Sequence, residues 1–243
     1  MYKKIDPFGV HIYNRTVGEA WIDLIRAMIN LGEFSPDEKR DRVALQNLRI
    51  KIDTPVIPDP VLEKYGNKDN LDAIVYLTVG GGVEMYDFDV VPSFTAGPKS
   101  YYARIKEGRM YEYVIDRLST ISESKKAVMS FINWKDYELV MADHYDDYLP
   151  CLCTVQFRLI KNDKGWDMNC VWYARSLDGF QKGNGNMLAI SILCKNIVND
   201  LSKKLGVPVN IKSLDGFITD VHIYGECIED AKKLIEKYDR DNK

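Results

Sequence analysis

The chain has 243 residues, of which 46% are hydrophobic and 28% charged, a balance that supports a buried core and excludes a disordered chain. Its net charge of −3 leaves no basic footprint for nucleic acid, so an anionic ligand must be met by a local group of Lys and Arg. No apolar run approaches the ~18 residues that a membrane span needs.

The opening MYKKIDPFGV carries lysines with no apolar stretch behind them, which predicts a cytoplasmic chain without a secretory leader. Residues 18–31 then place Trp21, Leu24, Ile25, Met28 and Ile29 at helical spacing ahead of Gly32, predicting an amphipathic helix. SPDEKRDR follows as a charged loop, and residues 43–55 read as a strand carrying Leu45, Leu48, Ile50 and Ile52 up to Pro55. From 55 to 98, IPDP, a glycine run at 80–82 and short apolar pieces show no period, and no element is predicted. Helical spacing returns over 109–118, SESKK is a polar break, and AVMSFINW has the composition of a buried strand. The polar, acidic KDYELVMADHYDDY leads to Pro150.

CLCTVQFRLI and MNCVWYARS are two strands of a hairpin turning at Lys164-Gly165. GFQKGNGN reads as a turn before a long helix that is apolar nearly all round from Met187 to Leu201, hence central, and closed by Gly206. After VPVNIKS come a strand, GFITDVHIY, and a last helix, ECIEDAKKLIEKY. Helices and strands mix without βαβ alternation, internal repeat or linker. The expected fold is therefore one α+β domain over 1–243, a mixed β-sheet packed by helices around a long central helix.

Five cysteines (Cys151, Cys153, Cys170, Cys194, Cys227) and three histidines lack the spacing of a zinc site, so reduced thiols and no metal are expected. Within LPCLCTVQF, Cys151 is either a small apolar filler or a nucleophile. The second reading requires a nearby cation and a pocket for an electrophile. Arg175 and Ser176 end the second hairpin strand, where a guanidinium can clamp a phosphate and favour a thiolate. Asp178 and Asn186 follow, and His222 and Tyr224 share one face of the last strand. Singly, these read as a surface ion pair, a turn Asp, a capping Asn and a satisfied His.

In order and spacing they resemble the thymidylate synthase superfamily, which includes the pyrimidine nucleotide hydroxymethylases. Its P-C-x4-Q-[FY] signature stands here as Pro150, Cys151, Gln156 and Phe157, and R-S-x-D as Arg175, Ser176, Leu177 and Asp178. The family's Asn follows at Asn186, and D-x-H-x-Y as Asp220, His222 and Tyr224. The likeness covers about 120–230 and looks closest to the divergent archaeal-type members, in which PCL replaces PCH.

The resemblance implies that Cys151 adds to C6 of a pyrimidine, so that C5 captures a one-carbon unit from 5,10-methylenetetrahydrofolate. Arg175 and Ser176 would hold the 5′-phosphate, His222 and Tyr224 the sugar hydroxyl, and Asp178 the folate pterin. Asn186 would pair with O4 and N3–H of uracil, since an amide both donates and accepts. A homodimer is implied in which Lys125 and Lys126, where the family has an Arg pair, reach the partner's phosphate, with Arg42 a further phosphate candidate. Cys153, taken to share the strand face of Cys151, would line the site. Glu63, Asp72 and Glu84 are stand-ins for the family's proton-relaying glutamate, and the closing KYDRDNK lacks the family's apolar tail. Three activities stay open: conversion of dUMP to dTMP, 5-hydroxymethylation of dUMP, dCMP or CMP, and nucleotide binding without turnover.

Overall fold

The computed structural model describes residues 2–5, 9–37, 40–80, 100–142 and 149–243. Glu84, Gly81, Gly82, residues 38–39 of the charged loop and the last residues of the acidic stretch lie outside them.

Among the described residues nine strands form one mixed sheet. Its order is β1 (Tyr2–Ile5), β2 (Gly9–Asn14), β4 (Arg42–Ile52), β9 (Val209–Tyr224), β7 (Trp166–Ala174), β6 (Leu152–Lys161) and β5 (Val128–Ser130). Two short strands attach to it, β3 (Glu33–Phe34) on β4 and β8 (Leu177–Asp178) on β9. β2 and β4, β7 and β9, and β8 and β9 run parallel, and the other pairs antiparallel. Period-two alternation sends one side of each strand inward: Leu48, Ile50 and Ile52 from β4, Val155, Phe157 and Leu159 from β6, Met168, Cys170 and Trp172 from β7. The opposite face leaves Tyr13, Val171 and Phe217 exposed, with Tyr173 stacked on Phe217.

The covered face packs under α1 (Val17–Leu31) and α7 (Gly183–Leu205), with α8 (Ile228–Asp241) against α1. Thr16 caps α1 by accepting from Glu19 N, and Trp21, Leu24, Ile25 and Met28 are buried as their spacing predicts. Two helices arise where no element is predicted, α2 (Pro60–Tyr65) and α3 (Lys68–Val79). In IPDP, Asp59 is a cap that accepts from Val61 N and Leu62 N, with Pro60 in the first turn. The same carboxylate accepts from Gly18 N at 2.8 Å and so ties α2 to the start of α1.

Next come α4 (Tyr101–Glu107), α5 (Met110–Thr120) and α6 (Trp134–Ala142). α6 falls in the acidic stretch and is inverted relative to an ordinary amphipathic helix. Trp134, Tyr137 and Met141 face out, while Asp136 turns in to a bidentate pair with Arg104, both side chains about 95% buried (4% and 5% exposed). AVMSFINW supplies only the three-residue edge strand β5.

The expected turn GNGN is instead the first turn of α7. A Cβ on Gly185 would lie 2.4 Å from the Ile74 side chain, so the glycine admits close approach of α3. β9 is likewise one 16-residue strand rather than a loop and a strand. Its Gly216 lies under the Trp172 indole, which a Cβ would meet at 2.2 Å. Glycine here marks close packing and not a break.

Candidate active site

The topology gathers four strand ends at one end of the sheet: the starts of β4 and β6 and the ends of β7 and β9. Arg42 stands opposite Tyr224, and Ala44 opposite His222, across the β4–β9 pair. β8 adds Asp178 beside His222. Residues far apart in sequence therefore meet for purely topological reasons.

Cys151 lies in a bend just ahead of β6, half-buried, with Sγ 4.0 Å from Ser176 Oγ. It is not a buried strand residue. A register shift between Leu152 and Thr154 makes Cys153 the extra residue of a bulge, which breaks the alternation that would set it on the face of Cys151. Cys153 Sγ instead donates to Cys151 O at 3.6 Å, and burial raises its thiol pKa, the nearby Cys151 adding to the rise and Arg175 opposing it.

Arg175 braces this bend. Its Nε donates to Pro150 O at 3.1 Å, its Nη2 to Leu149 O at 2.6 Å, and its backbone N–H to Cys151 O at 2.9 Å. Nη1 stays outside these bonds. On the other side Leu152 N–H donates to Tyr101 Oη at 2.9 Å, a tyrosine packed edge-on against Phe131. The nucleophile candidate is thus pinned from both flanks.

His222 is 5% exposed and sits edge-on to Tyr224, ring centroids 4.8 Å apart. Its Nδ1 lies 3.3 Å from Arg42 Nη1 and 3.2 Å from Asp220 Oδ1, so the ring is held from behind. Nε2 is buried without a hydrogen-bond partner among the described residues. Asp178, 7% exposed, uses Oδ1 to accept from Phe180 N and Gln181 N, while Oδ2 is buried and equally unpartnered there. Burial raises the Asp178 pKa, against the bonds from Gln181 and Phe180 and the neighbouring His222 and Lys182. Two adjacent buried polar atoms without partners are costly in an apolar setting and mark a ligand-facing surface.

Asn186 stands half-buried in the first turn of α7, its N–H bonded to Lys182 O at 2.9 Å. Arg42, the further phosphate candidate, meets Asp220 at 2.5 Å through Nη1 and donates Nε to Ser35 O at 3.0 Å. Lys125 and Lys126 are exposed ahead of β5, where Lys125 O accepts from Gln156 Nε2 and Phe157 N–H donates to Ala127 O. That is at least five residues along β6 from Cys151, about 17 Å at the usual strand rise. Glu63 is exposed on α2, and Asp72 pairs with Lys68 at 2.5 Å on the solvent side of α3.

Two cations at the site escape the sequence reading. Arg40 lays its guanidinium over the Tyr224 ring at 3.8 Å and bonds Glu226 at 2.9 Å. Lys182 precedes α7 at the close of the Asp178 turn, its N–H donating to Asp178 O at 3.2 Å. Its charge is within reach of Cys151, Asp178 and Arg40, and burial lowers its pKa. The signal for Lys182 was its position four residues before Asn186, one helical turn. No group of His, Cys, Asp and Glu suited to a metal exists among the described residues.

A half-buried thiol set among arginine, lysine and buried polar atoms defines a thiol-centred binding site of the kind used by enzymes that attack an electrophilic ring. Residues 96–242 match the sequence profile of the family described as Thymidylate synthase, and the chain belongs to that family. The match spans most of the gathered strand ends and leaves out β1 to β4, with Arg40 in the loop before β4 and Arg42 at its start. No curated protein matches the chain. No helix among the described residues is long and apolar enough to cross a membrane.

Proposed function

We propose that the protein is a one-carbon transferase acting on a pyrimidine nucleotide, converting dUMP to dTMP. The observation that carries this reading is the convergence of Cys151 Sγ with the unpartnered Asp178 Oδ2 and His222 Nε2 at one end of the sheet. Cys151 adds to C6 and renders C5 nucleophilic. Asn186 pairs with the uracil edge, and His222 Nε2 with Tyr224 binds the sugar hydroxyl. Burial keeps the Tyr224 phenol protonated, able to donate. Ser176 and Arg175 Nη1 take the phosphate on the bend that Arg175 already braces.

The folate co-substrate, 5,10-methylenetetrahydrofolate, supplies the one-carbon unit and the hydride. Asp178 Oδ2 suits its donor-rich pterin edge, since a carboxylate oxygen accepts and a pterin presents N–H groups. The P-C-L triplet supports a place among the divergent archaeal-type members. A homodimer is supported by the exposed sheet face of Tyr13, Val171 and Phe217 and by the distance of Lys125 and Lys126 from their own Cys151. Those lysines serve the partner's phosphate.

Mass spectrometry of the nucleotide after incubation with methylenetetrahydrofolate tests the reading, with dUMP, dCMP, UMP and CMP in parallel and Cys151→Ala as control. A gain of ~14 Da on dUMP that Cys151→Ala abolishes is expected for methylation through the thiol adduct. A gain of ~30 Da identifies a hydroxymethylase, with water in the place of hydride. Absence of product from all four nucleotides sinks the transferase reading and leaves a nucleotide-binding protein.

A further inference from the structure

Formation of a 5-methyl pyrimidine requires a proton to leave C5, and the site must provide a base for it. Among the described residues the carboxylates expected to relay protons do not supply one at Cys151, since Glu63 is exposed on α2 and Asp72 is engaged with Lys68, while Glu84 lies outside the described residues. The residue after the nucleophile, a histidine in many family members, is Leu152, which is buried in the core and cannot carry a proton. A different titratable group, Lys182, has its charge within reach of Cys151.

The turn from Asp178 to Lys182 is closed by Lys182 N–H on Asp178 O at 3.2 Å, and α7 continues with Asn186 N–H on Lys182 O at 2.9 Å. Lys182 and Asn186 are therefore consecutive turns of one helical face. If Asn186 holds O4 and N3 of the pyrimidine while Cys151 bonds C6, C5 lies between them, and Lys182, one turn from Asn186, has its charge within reach of Cys151. We infer that Lys182 is a catalytic residue, the acid–base group that exchanges the proton at C5. This rests on the pyrimidine reading above.

The step balances as follows. With Cys151 Sγ bonded to C6 and the one-carbon unit bonded to C5, the C5–H bond breaks and its proton becomes an N–H of Lys182. The C5–H electron pair forms the double bond to the exocyclic carbon, and the folate nitrogen departs with the C–N pair. Lys182 must be a neutral amine beforehand. Burial favours that form, Arg40 assists, and the negative charge of Asp178 and a Cys151 thiolate oppose it. The other titratable groups around this cluster are His222 and Tyr224 from β9, and Glu226 and Cys227 behind Arg40.

The test uses dUMP tritiated at C5, with and without methylenetetrahydrofolate, and follows tritium released to water by the wild-type chain, Cys151→Ala, Lys182→Met and Lys182→Arg. Calorimetry with dUMP reports binding separately. The expected result is that Lys182→Met binds dUMP within threefold of wild type yet releases tritium at least ~100-fold more slowly, the low end for general acid–base catalysis. Lys182→Arg, which keeps the charge but does not deprotonate, should be equally slow, and both variants should lose the acid limb of the wild-type pH profile.

Release by Lys182→Met within threefold of wild type overturns the inference and leaves the transferase reading standing. Restoration by Lys182→Arg also overturns it, because charge alone would then suffice. A wild-type rate no greater than that of Cys151→Ala means that the thiol does not add to the ring, and both readings fall together.

Discussion

Arg175 offers the sharpest test of how the nucleophile is held. Its guanidinium spends Nε and Nη2 on the carbonyls of Pro150 and Leu149, at 3.1 and 2.6 Å, immediately before Cys151. Arg175→Lys keeps the charge but can reach only one of the two carbonyls. A hydrogen bond from a charged donor is worth about 1.5–3 kcal/mol, and the half-exposed setting favours the lower figure. At about 2–4 °C per kcal/mol for a chain of this size, the loss of ~1.5 kcal/mol lowers Tm by about 3–6 °C. Arg175→Met removes both bonds and should cost at least twice as much. The assay is thermal unfolding in buffer free of phosphate and nucleotide, so that ligand binding does not mask the change. A Tm within 1 °C of wild type in Arg175→Lys would refute the bracing role and leave the phosphate as the sole use of this side chain.

Arg104→Met removes the guanidinium from Asp136, which is 5% exposed, and leaves its buried carboxylate with the N–H of Asn133. Urea unfolding should report a loss of about 3–5 kcal/mol, and a loss below ~1 kcal/mol would show that the carboxylate simply protonates. Asp178 is a carboxyl whose folded pKa is raised, so its favourable contribution exists below the unfolded value of 3.8 and is lost as pH rises through the folded value. Asp178→Asn, able to retain the bonds to Phe180 and Gln181, should therefore raise Tm at pH 7, with the gain vanishing near pH 3, while folate-dependent turnover falls. An unchanged Tm at pH 7 would argue against the burial cost. If the proposed homodimer forms through the exposed sheet face, Phe217→Asp should give a monomer in sedimentation where the wild type is a dimer, and weaken binding of dUMP but not of deoxyuridine. Equal loss for both ligands would detach Lys125 and Lys126 from the phosphate.

Helices and strands with an inward apolar side were legible in the sequence. α1, β4 and the β6–β7 hairpin all follow from period 3.6 or period 2. The elements that were not legible share a physical cause. α6 turns Asp136 inward and Trp134, Tyr137 and Met141 outward, so its apolar residues report a face away from the core. α2 is a single short turn-and-a-half whose evidence is a cap, Asp59 with Pro60, in a tetrapeptide that reads equally as a turn. Gly185 is expected in a turn and Gly216 at the start of a strand, because glycine in sequence cannot distinguish a bend from a close approach. Only Ile74 and Trp172, distant in the chain, reveal which one applies.

The site divides along a similar line. Cys151, Arg175, Ser176, Asp178, Asn186, His222 and Tyr224 could be chosen together because their order and spacing matched a pattern, and β8 and β9 place Asp178 beside His222. Roles were harder to read than membership. Arg42, a phosphate candidate as a cation in the charged loop, begins β4, and the β4–β9 register sets it beside Asp220 and His222. Arg40, two residues earlier, takes the exposed position over Tyr224 instead. Lys182 lay in a stretch read as a polar turn. The turn holds, but α7 begins at once after it, so Lys182 caps the helix one turn before Asn186 and its charge comes within reach of Cys151.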